Sequence, residues 1–442
     1  MSLHEQPERI RSTAERGGLE HLATIEKLDV SGGMPRENLL LKIGAVRVCC
    51  FDQPVRSFTV LAMVMALALV ATGTLIGLVT LWPGQRSFEA PALAGRSNRE
   101  PARVISVAET TCRVPGGTDC ERVSVEITGG PLEASRGAFT VGDAADIRLD
   151  VGDQIYVYEN RVPGGVVAGV KIDRFGFADF DRERPLLLLV ALFVVAVVLT
   201  GRLQGARSLV GLAGSLVVIV GFVVPAILDG ASPVGVALVG ALAVMLITIP
   251  LSHGIGPKSL AAALGTAGSL VLTVLLARLF VDAAHLSGLS SDEAAVVGVV
   301  AEGVSVSGLL LAGMVIAALG VLDDVTVSQS STVMALRATD PALGARQLFR
   351  RALGVGRDHV AATVNTLVLA YAGAALPLLL IFSLADTDAR DAVTSEIVAQ
   401  EVVATLVGSI GLILAVPITT ALATLLAVRV PPGTDAAHLH PH

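Results

Sequence analysis

Two carboxylates stand where hydrocarbon should exclude them. Directly after an apolar run the chain reads Gly320-Val321-Leu322-Asp323-Asp324-Val325-Thr326-Val327-Ser328-Gln329-Ser330-Ser331-Thr332. The next apolar run opens with Asp358-His359 and carries Thr363, Asn365 and Thr366 in its first turns. An ionisable side chain inside a membrane costs at least about 2–3 kcal/mol unless it is partnered, so it marks a functional position by default. Carboxylate, hydroxyl and amide oxygens suit a hard cation, and a carboxylate within a bundle also suits a proton relay. Asp323, Asp324, Thr326 and Asn365 are therefore the candidate ligands or relay groups of a substrate or ion pathway, with Ser328, Gln329 and Thr363 as neutral neighbours. A structural reading competes. An aspartate can cap a helix starting near Val325 by accepting its free amides, where its charge also complements the helix dipole. Capping explains one aspartate more easily than two adjacent ones.

Other polar groups are weaker signals. Glu302 precedes one apolar run and Glu401 opens another, and they read either as coupling carboxylates or as solvated interfacial residues. His253 lies in a short polar turn. Spacing assigns no metal-ligand set, and no cofactor is implied. The chain has no G-x-x-x-x-G-K-[ST] loop, no H-E-x-x-H, no G-x-S-x-G and no CxxC pair, which removes support for ATP hydrolysis by this chain and for the common protease, hydrolase and redox chemistries.

Composition dictates what holds these groups. Of 442 residues, 53% are hydrophobic and 16% charged, against about 45–50% and about 25% in a soluble domain. That much apolar surface needs the lipid bilayer as part of its solvent. With 32 basic against 39 acidic residues and no basic stripe, nucleic acid is excluded as the main partner. A spanning helix takes about 20 apolar residues, and eight runs qualify: Phe58–Trp82, Pro185–Thr200, Ser208–Leu228, Pro233–Leu251, Ser259–Val281, Val304–Leu322, Ala361–Leu384 and Glu401–Val428. Phe175, Phe177 and Phe180 are expected at the interface ahead of the second run. Pro377 and Pro417 mark expected breaks or kinks. The first run follows too long an arm for a cleavable signal and reads as an uncleaved anchor.

Orientation follows from basic residues in the short loops. Arg202, Arg207, Lys258, Arg337, Arg346, Arg350, Arg351, Arg357 and Arg429 fall on one side if the N-terminus is cytoplasmic, and the opposite short loops carry Arg390. The expected organisation is a cytoplasmic arm (1–57), a first span (58–82), an extracytoplasmic β-rich module (83–184), a seven-helix bundle (185–429) and a cytoplasmic tail (430–442), in a bacterial inner membrane. The expected strands of the module are Arg103–Ala108, Arg122–Thr128, Asp146–Leu149 and Gln154–Tyr158, which suggest a small barrel or sandwich, OB-like in its strand spacing. Cys112 and Cys120 are placed for a disulfide in that compartment, or for two buried thiols. Asp340-Pro341 predicts a helix start. Leu343, Leu348, Leu353 and Val355 alternating with arginines predict a basic amphipathic helix on the inner leaflet.

Three segments carry a family resemblance: Gly320–Thr332 (GVLDDVTVSQSST), Gly356–Leu380 (GRDHVAATVNTLVLAYAGAALPLLL) and Val407–Ala421 (VGSIGLILAVPITTA). They resemble the YibE/F-like bacterial multi-pass membrane proteins, whose layout of an outer β-rich module followed by seven spans is matched from about residue 58 to 430. The resemblance implies a topology and no established substrate, activity or site residue. The reading it leaves is a secondary transporter, exporter or permease for a small molecule, ion or lipid. One alternative is a non-transporting scaffold or sensor whose β-module binds an envelope partner. The other is an intramembrane enzyme acting on a lipid-linked substrate.

Overall fold

The computed structural model of the protein describes residues 58–84, 99–111, 120–142, 147–160, 166–167, 170–171, 173–290, 292–301, 303–385 and 388–430. The arm 1–57, Cys112, Glu302 and the tail from 431 lie outside the described residues.

The β-module has an antiparallel sheet of five strands and a small two-stranded ribbon. Its strands are β1 (Arg99–Thr110), β2 (Cys120–Ile127), β3 (Arg136–Gly142), β4 (Gln154–Glu159) and β7 (Phe175–Phe180), in the order β3-β2-β1-β4-β7. β5 (Val166–Val167) and β6 (Val170–Lys171) form the ribbon. Alternate residues of a strand face one side, so Val123, Val125 and Ile127 of β2 enter one core with Val104, Phe139, Ile155 and Phe175. The sheet curls until its edges meet. Gly137 of β3 lies under the Phe175 ring of β7, where a Cβ would collide, and the Phe139 and Phe177 rings are 6.5 Å apart.

This arrangement corrects two expectations. Residues 147–149 form no strand, although Leu149 is buried. Phe175, Phe177 and Phe180 belong to β7 and not to an interfacial lead-in, because strand alternation draws Phe175 into the β core. At the exit of β7, Arg182 donates to Asp179 at 2.6 Å and lies over the Phe180 ring. That hydrogen bond holds the exposed Asp179 carboxyl below the usual carboxylate range.

Long helices make up the rest: α1 (Phe58–Thr80), α2 (Glu183–Val218), a π turn (Ile219–Val223), α3 (Val224–Leu228), α4 (Pro233–His253), α5 (Pro257–Ala283), α6 (Asp292–Val300), α7 (Val306–Thr339), α8 (Ala345–Ala374), α9 (Leu376–Leu384), α10 (Ala389–Thr394) and α11 (Glu396–Ala427). Among the described residues six helices are long and apolar enough to cross a membrane, and the α8–α9 pair, bent by 55°, makes a seventh. Pro377, in the first turn of α9, accounts for that bend. Pro417 sits inside α11 without ending it.

The expected second and third runs are assigned to one helical stretch, with a break inside it. Arg202 has φ 50° and ψ −132°, outside helical space. A Cβ at Gly205 would lie 3.1 Å from the Val197 carbonyl carbon. Residues eight apart in a straight helix are about 12 Å apart, so the chain bends sharply back at Arg202.

The 337–359 region also departs from expectation. Asp340 ends α7, α8 starts after Gly344, and Arg337 binds the carbonyls of Pro341 and Leu343. The basic amphipathic segment and the following apolar run are one helix, because no breaker separates them once Gly356 is packed against Gln329 and Val416.

The bundle centres on α5, α7 and α11, where small residues allow close approach. Gly265 of α5 faces Thr419 of α11, and Gly411 of α11 faces Thr273 of α5. Rising numbers on α5 meet falling numbers on α11, so the two helices are antiparallel. By the same logic α4 and α7 run parallel: Pro233 abuts Gly308, and Thr248 meets Asp323.

Candidate functional site

Asp323 sits halfway along α7, and α7 runs unbroken from Val306 to Thr339. No helix begins near Val325, so capping does not explain either aspartate. Thr248 of α4 donates to Asp323 Oδ2 at 3.4 Å. The other carboxylate oxygen, Oδ1, is buried and has no hydrogen-bond partner among the described residues. Asp324, one residue on, points about 100° further round the helix and is exposed.

The remaining expected groups are spread around α7 rather than gathered on one side. Thr326 shares a 2.6 Å hydrogen bond with Thr266 of α5 and lies 3.2 Å from the Asp323 carbonyl oxygen. Gln329 donates to the Ala352 carbonyl at 2.9 Å and to Thr420 Oγ1 at 2.7 Å, tying α7 to α8 and α11. Ser328 is exposed. On α8, half-buried Thr363 bonds back to the His359 carbonyl, and Asn365 is exposed. Glu401 is half-buried near the start of α11, close enough to Tyr371 of α8 for the two to interact electrostatically. No group of three or more His, Cys, Asp or Glu side chains among the described residues is placed to hold a metal ion.

Asp323, Thr326 and Gln329 thus address three different neighbours: α4, α5 and the α8–α11 pair. Their partners Thr248, Thr266 and Thr420 were not legible as site residues. Single hydroxyls in apolar helices are common, and only the packing shows which ones meet α7. A small cavity of about 20 Å³ lies between α7, α8 and α11, against Ala317, Leu367, Tyr371, Ala404 and Gly408, and neither aspartate lines it.

All four helices that meet around α7 fall within residues 189–429, which match the family model described as YibE/F-like protein. The chain belongs to the YibE/F-like family. No curated protein and no solved structure matches it. In this YibE/F-like chain the matched stretch takes in Asp323, Asp324, Thr363, Asn365 and Glu401, while the β-module and α1 lie outside it. The family and the apolar helices fit a membrane protein.

Proposed function

We propose that this YibE/F-like protein is a secondary transporter or permease in which Asp323 takes up and releases a proton. One observation carries the reading: a carboxylate halfway along an apolar helix, with one oxygen bonded to Thr248 and the other buried without a partner. A carboxylate in hydrocarbon costs about 2.5–3.5 kcal/mol, and one hydrogen bond to a hydroxyl returns about 1 kcal/mol. A purely structural position would not carry that residual cost. The same geometry favours a proton over a metal ion. A hard cation such as Ca²⁺ gathers about six to eight oxygens, whereas Asp323 has Thr248 beside it and the other expected ligands turned away.

Eight spans complete the proposal. The bend at Arg202 divides the α2 stretch into the two runs Pro185–Thr200 and Ser208–Leu228. An even number of spans then puts both termini on the cytoplasmic face with the basic loops. The β-module is extracytoplasmic in this arrangement, a compartment that permits a disulfide.

The test uses purified protein in vesicles loaded with pyranine, a pH-sensitive dye, under a potassium diffusion potential set with valinomycin. Wild type is expected to admit protons faster than protein-free vesicles, and Asp323→Asn to admit them at the protein-free rate. Equal rates for wild type and Asp323→Asn, or for wild type and empty vesicles, refute the reading.

A further inference from the structure

One face of α7 is left uncovered. Gly313, Ala317, Gly320, Asp324 and Ser328 are all exposed, and their spacing of three or four puts them within an arc of about 80°. Nothing stands within 4 Å of where a Cβ at Gly313 or Gly320 would be. α4 flanks this face on the Asp323 side, and α8 flanks it on the Val321 side. An ordinary lipid-facing strip looks different: α2 presents Leu186, Leu187, Leu188, Leu189 and Val190. α7 instead offers a trough floored by small residues that ends in a carboxylate and a hydroxyl.

α8 brings cations to the same end. Gly356 packs against Gln329, while Tyr371 and Met314 line the same small cavity. The two helices are therefore antiparallel, and Arg357 comes level with Ser328. Leu353, Val360 and Val364 face Val321 and Val325 of α7 together with Leu412 and Val416 of α11. Arg357 comes next round α8, on the side away from the contact of Leu367 with Gly408 of α11, which is the side of the open face. Arg350, two turns nearer the start of α8, shares that stripe. Asp324, Arg350 and Arg357 are exposed and make no hydrogen bond or ion pair among the described residues.

We propose that the open face of α7 holds one phospholipid with an amine headgroup, its phosphate at Arg357, its ammonium at Asp324 and an acyl chain along Gly320, Ala317 and Gly313. The dimensions agree. Gly313 and Asp324 are eleven residues apart, about 16 Å of helix, and one leaflet's share of a hydrocarbon core about 30 Å thick is about 15 Å. The charges agree as well. A guanidinium suits a phosphate, and a carboxylate turned toward hydrocarbon needs a cationic partner. A zwitterionic head supplies both a turn apart. A second copy of the chain fits this face less well, because a two-fold contact sets Asp324 near its own equivalent. The inference goes beyond proton handling and does not rest on it, since the Asp323 carboxylate is turned to Thr248 of α4.

The test places purified protein in phosphatidylcholine vesicles with a trace of phosphatidylethanolamine that carries a diazirine near the end of one acyl chain. Light-induced adducts are mapped by digestion and mass spectrometry. Adducts are expected on residues 313–324 as well as on α2, and excess unlabelled phosphatidylethanolamine should suppress those on α7 alone. Phosphatidylglycerol, which lacks the ammonium, should compete less well, and Asp324→Asn should erase that preference. Arg357→Gln removes a charged bond to the phosphate and should weaken binding about tenfold. Gly313→Leu combined with Gly320→Leu fills the trough and should abolish the α7 adducts at an unchanged or higher unfolding temperature, since nothing lies near either Cβ. Gly268→Leu, equally open on α5, should leave them intact. α7 adducts that phosphatidylethanolamine does not suppress, or that phosphatidylglycerol suppresses equally in wild type, overturn the proposal in favour of bulk lipid contact. Adducts lost only with a lower unfolding temperature overturn it in favour of packing. No α7 adducts at all also overturns it, and disulfide dimers of Gly320→Cys would then name a second copy as the occupant. Each of these outcomes leaves Asp323 to the pyranine flux.

Discussion

Gly265 and Gly268 lie three residues apart on α5, and alanine at the two positions is expected to act with opposite sign. A Cβ at Gly265 would collide with the Thr419 hydroxyl and stand 3.0 Å from Thr419 Cβ, both on α11. At Gly268 nothing lies within 4 Å. Both changes gain up to about 1 kcal/mol of helix propensity. Gly265→Ala also forces α5 and α11 apart, an overpacking cost of about 1–3 kcal/mol. The two variants should therefore differ by about 1–3 kcal/mol, with Gly268→Ala at or above wild type and Gly265→Ala below it. Trp82, the single tryptophan, packs 6.0 Å from the Phe222 ring and reports unfolding by its fluorescence. SDS titration in mixed micelles gives both midpoints. Adding Thr419→Ala to Gly265→Ala removes the colliding oxygen and should recover part of the loss, a coupling that a double-mutant cycle isolates. Equal shifts for the two glycine variants, or no recovery in the double variant, would refute the close approach of α5 and α11.

Two further outcomes follow from other parts of the fold. Glu396 Oε1 accepts from the Ser287 amide at 2.7 Å, the Ser287 hydroxyl at 2.7 Å and the Gly288 amide at 2.8 Å, which pins the α5–α6 loop to the start of α11. Glu396→Gln weakens bonds to a charged acceptor by about 1 kcal/mol, so hydrogen exchange at Ser287 and Gly288 should speed up about fivefold, and unchanged exchange would show that the loop is held otherwise. Arg202→Gly should be neutral or stabilising by up to about 1 kcal/mol, because glycine adopts positive φ without penalty. A marked loss of stability there would mean that the bend depends on the arginine side chain.

Much of this architecture is legible in the chain, for a simple reason. Apolar length is a direct requirement of the bilayer, so α1, α4, α5 and α11 follow from composition to within a turn or so, whereas α7 runs 17 residues past the expected Leu322 because its polar half is held by packing rather than by hydropathy. The Asp323-Asp324 pair is equally visible, since its cost is local. What stays hidden depends on partners distant in sequence. Whether Asp323 or Asp324 turns inward is decided by α4, and only Thr248 against Asp323 reveals it. The alternation of Phe175, Phe177 and Phe180 suits a strand or an interfacial belt equally well, and the β core decides. The continuity of α8 is hidden too, because Gly356 ends a helix in isolation as readily as it admits Gln329 and Val416.

Infrared difference spectroscopy of the reconstituted protein asks most directly whether Asp323 carries the proton. Acidifying one side of the vesicles should raise the carbonyl stretch of a protonated carboxylic acid in wild type, and subtracting the spectrum of Asp323→Asn should isolate that band. A band that rises and falls reversibly with pH in wild type and vanishes in Asp323→Asn is the expected result. Superimposable spectra from the two proteins would contradict it.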